Sequence, residues 1–214
     1  YHSAIGEKSV PMQLELAQFA DQEYSSAGAE SRAAHAKEIA CMSDIQFVNP
    51  IVEQRADPWV YRHSDGYYYF TASVPEYDRI ELRRARSIQQ LGAAEPKVIW
   101  RKYESGPMSA HIWAPEIHFV GGAWYIYFAA ARADAPFDHR TYVLENTAAN
   151  PLEGTWAERG QVAMAWESFT LDATSFLHGG RQYMVWAQRD PAIAGNSNLY
   201  IAAMQNPWTL AGAP

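Results

Sequence analysis

The sequence predicts an all-β fold assembled from repeated four-stranded units, and three observations predict it. Downstream of Phe47 the chain becomes short runs dense in Tyr, Trp, Phe, Val and Ile, broken by Gly, Asp, Asn and Pro, which is the residue mix of strands and tight turns. Three segments then share one pattern: Asp57 to Ser73 (DPWVYRHSDGYYYFTAS), Glu116 to Ala131 (EIHFVGGAWYIYFAAA) and Asp172 to Gln188 (DATSFLHGGRQYMVWAQ). Each starts with an acid, runs through a short apolar strand to a glycine turn, and returns in an aromatic strand ending in small residues. The starting acids are 59 and 56 residues apart, which leaves space for two further strands in each copy.

Taken in order, residues 1–43 are rich in Ala, Glu, Gln and Ser without a sustained apolar stripe, and are expected to form a helical or poorly ordered leader. Residues 44–214 form the β domain. Its first copy spans about 49–110, with outer strands expected at Arg79 to Arg86 and Lys97 to Trp100. The second spans 111–166, with outer strands at His139 to Glu145 and Thr155 to Gly160, and the third spans 167–214. Four strands per repeat is the unit of a β-propeller blade, whereas a β-sandwich or jelly roll predicts no fixed acid at a hairpin start. About 166 residues follow Val48, enough for about three blades, while a closed propeller has four to eight. A chain cut short, with an open third-blade edge prone to self-association, is therefore the expectation.

Composition narrows the function classes. Apolar residues make up 48% and charged residues 19% of the 214, and the longest apolar run, Ala123 to Ala131, is half of what a membrane helix needs, about 18 residues. Seventeen Lys and Arg against 24 Asp and Glu give a net charge of −7, with no basic stripe for nucleic acid. The single cysteine, Cys41, excludes an internal disulfide and a cysteine zinc site. The seven histidines show no paired ligand spacing, so no metal and no cofactor are expected. The chain begins at Tyr1 without an apolar signal core, which points to a processed or cut N-terminus and leaves the compartment open.

In a propeller the inner strands of successive blades line one axis, so equivalent residues form a ring at one end. Asp57, Glu116 and Asp172 are the candidates for that ring. Carboxylates held close together raise one another's pKa, and glycoside hydrolysis uses such a set: one carboxyl to donate a proton, another to activate water. Aromatic side chains flank the acids, among them Trp59, Tyr77, Trp113, Trp124 and Trp186, and flat rings suit the apolar faces of sugars. Most must fill the spaces between blades; Trp113 and Trp186 are the two expected to touch sugar, and Ser73 joins the substrate-binding candidates.

The segments RADPWVYRHSDGYYYFTAS (55–73), HIWAPEIHFVGGAWYIYFAA (111–130) and LDATSFLHGGRQYMVWAQ (171–188) resemble the first three blade signatures of glycoside hydrolase family 43, and SVPEYDRIELRRA (73–85) looks most like its α-L-arabinofuranosidase branch. The resemblance implies a five-bladed β-propeller, present here as about three blades, that cleaves α-L-arabinofuranosyl or β-xylosyl linkages in arabinose- or xylose-containing saccharides with inversion. It implies that Asp57 is the general base, that Asp172 tunes the acid's pKa and orients substrate, and that Glu116 is a supporting cavity residue. The family's general acid is a Glu of the fourth blade, and this chain has no Glu after Glu167, so the resemblance places no general acid in this chain. It leaves an axial metal or water site to the later blades. The competing reading is a sugar-binding propeller without catalysis, which would keep the aromatics and need no acid ring. Arg189-Asp190-Pro191 matches a motif of related β-fructosidases, but Asp190 follows an inner strand instead of starting one.

Overall fold

The computed structural model describes residues 47–214, and the leader expected over 1–43 lies outside the described residues. The described chain folds into three antiparallel four-stranded sheets, each a meander in which sequence neighbours are spatial neighbours. The first contains β1 (Ala56–Arg62), β2 (Tyr68–Ser73), β3 (Arg79–Ala85) and β4 (Lys97–Arg101). The second contains β5 (Ala110–Val120), β6 (Ala123–Arg132), β7 (Ala135–Asn146) and β8 (Ala157–Gln161), and the third β9 (Thr170–His178), β10 (Arg181–Gln188), β11 (Asn198–Asn206) and β12 (Thr209–Leu210). A short 3-10 turn at Ile88–Leu91 joins β3 to β4.

The glycine turns sit where the sequence places them. Gly121 and Gly122 (φ 59° and 88°) close β5 onto β6, and Gly179 and Gly180 (φ 56° and 76°) close β9 onto β10. Two successive left-handed residues twist with the strands and make the tight two-residue hairpin, a conformation strained for side chains with a Cβ.

The sheets stack face to face. Alternate residues of β6 explain why that strand is apolar without interruption: Trp124, Ile126 and Phe128 pack against Tyr69, Ile80 and Leu82 of the first sheet, while Tyr125 and Tyr127 pack against Met184, Trp186 and Met204 of the third. Both faces of the middle sheet are buried, so neither set of positions is free to be polar. Polar tips find partners across the gaps: Trp59 Nε1 donates to the Ile117 carbonyl at 2.8 Å and Tyr127 Oη to the Pro207 carbonyl at 2.6 Å. The outer face of the first sheet is covered by its own chain, with Phe70, Ala72 and Leu91 packed against Ile51, Val52 and Ile88. The outer face of the third sheet is bare apolar surface, exposing Phe176, Leu199 and Ile201.

Candidate active site

β1 packs beside β5, and β5 beside β9, so the first strands of the three sheets line one another. Each breaks register at the same place. Between Ala56, opposite Ser73, and Trp59, opposite Thr71, β1 carries one extra residue; β5 does so between Trp113, opposite Ala129, and Glu116, opposite Tyr127. β9 does so between Leu171, opposite Ala187, and Thr174, opposite Val185. The first residue of each bulge is left-handed: Asp57 at φ 51°, Ala114 at φ 44° and Asp172 at φ 53°. Such bulges re-aim side chains at a sheet edge, and left-handed φ in residues other than glycine is costly enough to mark sites where geometry serves function.

This register corrects the sequence alignment of the repeats. The residue equivalent to Asp57 and Asp172 is Ala114, and Glu116 lies two residues further along β5, at the position held by Trp59 and Thr174. Matching acid to acid in the string puts Glu116 at the equivalent position, which the register does not. The physical marker is the bulge, and in two of the three copies its left-handed residue is followed by a proline, Pro58 and Pro115, which cannot donate to the ladder. Glu116 nevertheless acts on the same site. The Asp172 carboxyl is raised above the usual carboxylate range, first by burial, then by the negative charges of Asp57 and Glu116. The residue keeps accessible surface at the mouth, but surrounding atoms dehydrate its carboxyl in part. Glu116 also lies 3.3 Å from Nε2 of the buried His118.

Asp57 is held differently. Ser73 Oγ donates to Asp57 Oδ2 at 2.8 Å and accepts from the Ala114 backbone N–H at 2.8 Å. Ser73 is 2% exposed, so its hydroxyl is committed to the protein, and the expectation that it binds substrate is corrected: it braces Asp57. Trp186 is corrected as well. It is fully buried between the second and third sheets with its Nε1 on Gln188 Oε1 at 2.9 Å, leaving no face for a sugar. Its place at alternate spacing on an inner strand is that of core, and sequence alone could not tell which face it takes.

Trp113 is half-buried at the mouth. It stacks on His139 with ring centres 4.1 Å apart and on His111 at 5.3 Å, and meets Tyr77 edge-on at 5.9 Å. Its Nε1 is buried without a hydrogen-bond partner, as is Nδ1 of His139. Burial lowers the His139 pKa, which keeps the ring neutral. A cleft of about 310 Å³ is lined by Gln54, Arg55, Ala56, Ser73, Pro75 and Tyr77. Gln54, Tyr77 and His111 have φ of 49°, 51° and 48°, so further strained residues flank the strained aspartates. Gln54 and His139 lie outside the quoted sequence motifs, and His111 opens the second blade signature without any mark of a site role. Asp190 caps a turn, accepting from the Ala192 N–H at 2.8 Å and from Tyr200 Oη at 2.9 Å. Among the described residues no group of three or more His, Cys, Asp or Glu is arranged to hold a metal ion.

Three stacked four-stranded sheets whose lining strands each bulge at one end define a β-propeller domain with a carboxylate-bearing mouth. The chain belongs to the glycosyl hydrolases family 43, whose pattern it matches over residues 47–214. It is 55% identical over 181 residues to an extracellular exo-α-(1→5)-L-arabinofuranosidase of Streptomyces avermitilis, covering 85% of this chain and 37% of that protein. It is 50% identical over 169 residues to α-L-arabinofuranosidase 43 of Humicola insolens, covering 78% of this chain and 35% of that protein. The crystal structure of an α-L-arabinofuranosidase from Lactobacillus brevis superposes with a TM-score of 0.76 at 50% identity, covering 78% of this chain and 55% of that one. The chain thus spans about a third to a half of the length of the relatives it matches.

Proposed function

We propose that this chain carries the base-bearing part of an inverting glycoside hydrolase that releases α-L-arabinofuranosyl units from plant cell-wall saccharides. The observation that carries the reading is the pair of aspartates in equivalent bulges, Asp57 and Asp172, within charge-coupling range of each other and of Glu116. The identity to arabinofuranosidases favours arabinose over xylose as the sugar. Asp57, fixed through one oxygen by Ser73, has its other oxygen to take a proton from water as that water attacks the anomeric carbon. The glycosidic C–O bond breaks as the leaving oxygen receives a proton from a general acid that is not among the residues of these three sheets. Asp172, raised by its surroundings, sits beside the base and responds to its charge, the role of a residue that sets the protonation of its neighbours.

Trp113, half-buried and stacked on His139 and His111, supplies the aromatic wall. The bare outer face of the third sheet would mediate self-association; concentration-dependent sedimentation that disappears in Leu199→Lys would support it, and a monomer at all concentrations would rule it out. The catalytic reading is tested by assaying the complete protein on an aryl α-L-arabinofuranoside and on α-1,5-linked arabino-oligosaccharides beside its Asp57→Asn form. Turnover should drop about 10²–10⁴-fold, and an unchanged rate would remove Asp57 from the mechanism.

A further inference from the structure

Asp57 and Asp172 are the same residue of the same repeat, yet their surroundings differ at one position. The residue paired opposite the strand just before the bulge is Ser73 in the first sheet, Ala129 in the second and Ala187 in the third. The second sheet, with Ala114 in its bulge, has no acid there to serve. In the first, the lone proton of the Ser73 hydroxyl has a defined direction. Its oxygen already accepts the Ala114 N–H at 2.8 Å, and its own O–H points to Asp57 Oδ2 at 2.8 Å. A carboxylate can only accept, so this relay of donors, backbone N–H to hydroxyl to carboxylate, suits an ionised Asp57 and fixes its rotamer. The relay also joins two sheets, because Ala114 is the strained bulge residue of β5. In the third sheet Ala187 has no hydroxyl to offer Asp172, and the groups acting on that carboxyl are its buried surroundings and the charges of Asp57 and Glu116.

We propose that Ser73 is a positioning residue which, with its counterpart Ala187, divides the labour between two otherwise equivalent aspartates: the hydroxyl opposite Asp57 fixes it as an aimed carboxylate, and the methyl opposite Asp172 leaves that carboxyl without such a brace. The inference rests on Asp57 being the base, and the test separates the two. In the complete protein, Ser73→Ala should lower kcat about 10- to 100-fold while KM stays within about twofold, because a misaimed base is lost from the transition state and not from ground-state binding. Ser73→Thr, which keeps the hydroxyl, should restore most of the rate. If Asp57→Asn abolishes turnover while Ser73→Ala keeps the wild-type kcat, the positioning role is overturned and the base is not. If Asp57→Asn itself keeps turnover, the base assignment fails, and the second arm still decides the division of labour. That arm is Ala187→Ser, read by 13C NMR of the aspartate carboxyls in the present chain: a hydroxyl placed opposite Asp172 should shift its titration midpoint downward. An unmoved midpoint overturns the proposal, as it would if Ser73→Ala failed to fold and left this measurement alone.

Discussion

Asp57 and Asp172 occupy the same bulge of two different sheets, with φ of 51° and 53°, and each is the first of the residues that break register on a strand lining the mouth. Their equivalence makes the coupling between them testable without substrate. Asp172 is raised by burial first and by Asp57 second, so Asp57→Asn should move the Asp172 midpoint downward without returning it to the ordinary value, because burial and Glu116 persist. Carboxyl 13C NMR against pH reads this directly, and a midpoint indifferent to the charge at residue 57 would show that the two carboxyls do not share a site.

A raised carboxyl is also a cost to the fold. Between the ordinary Asp value of 3.8 and its raised folded value, Asp172 holds its proton more tightly in the native than in the unfolded chain, so stability falls as pH rises through that window. Asp172→Asn removes the charge and should therefore raise the melting temperature at neutral pH, with the gain vanishing below about pH 3.8, where aspartate is protonated in both states. Thermal unfolding of both forms at several pH values measures it; a destabilised variant at neutral pH would mean that the ionised carboxylate is stabilised in the fold.

The opposite sign holds at Glu81, whose partner Arg55 lies two residues before Asp57. Burial would raise its carboxyl, but hydrogen bonds from Arg79 at 2.6 Å and Arg55 at 3.0 Å overcome this and leave it below the ordinary glutamate value. Its contribution to stability is present above the unfolded value and lost as pH falls through the lowered folded one. Glu81→Gln should cost about 1.5–3 kcal/mol at neutral pH, since Arg55 loses its carboxylate while Arg79 keeps Asp78 at 2.7 Å and Glu76 at 3.0 Å, and the difference from wild type should shrink on acidification. Urea unfolding at pH 7 and pH 3 would show it.

Gly92 tests the packing under the first sheet. Its backbone lies in the ordinary helical region, so strain in φ is not the issue; a Cβ there would overlap the Ile51 carbonyl oxygen, which belongs to the segment covering the sheet's outer face. Gly92→Ala should therefore cost about 1–3 kcal/mol by forcing that cover away. A variant as stable as wild type in denaturant unfolding would show that the Ile51 segment is not held there.

The β architecture was legible because its signals are compositional and periodic: the aromatic return strands, the Gly-Gly turns at 121–122 and 179–180, and the room for two outer strands per copy are all properties of the string. Asp57 and Asp172 were legible because they recur. What stayed hidden depends on three-dimensional register. The bulge at Ala114-Pro115 shifts the second repeat by two residues relative to its acid; its trace in the string is a proline shared with Asp57-Pro58, which Asp172-Ala173 lacks. Trp113 and Trp186 look alike as tryptophans on inner hairpins, yet one stands half-buried at the mouth and the other fills the gap between sheets, because a strand's two faces can both be buried when sheets stack. Ser73 reads as a small polar residue at a strand end, and only the partner across the sheet gap, the Ala114 N–H, turns it into a brace.

The most direct test of the central claim, that an aspartate-activated water attacks the sugar from the face opposite the leaving group, is the anomeric configuration of the first product formed. Proton NMR of the complete protein acting on an α-L-arabinofuranoside should show β-L-arabinofuranose accumulating first and mutarotating afterwards, and Asp57→Asn should suppress the signal. Initial release of the α-anomer would mean two displacements at carbon, make Asp57 or a neighbour a nucleophile in place of a base, and contradict the mechanism proposed from the Asp57–Ser73 geometry.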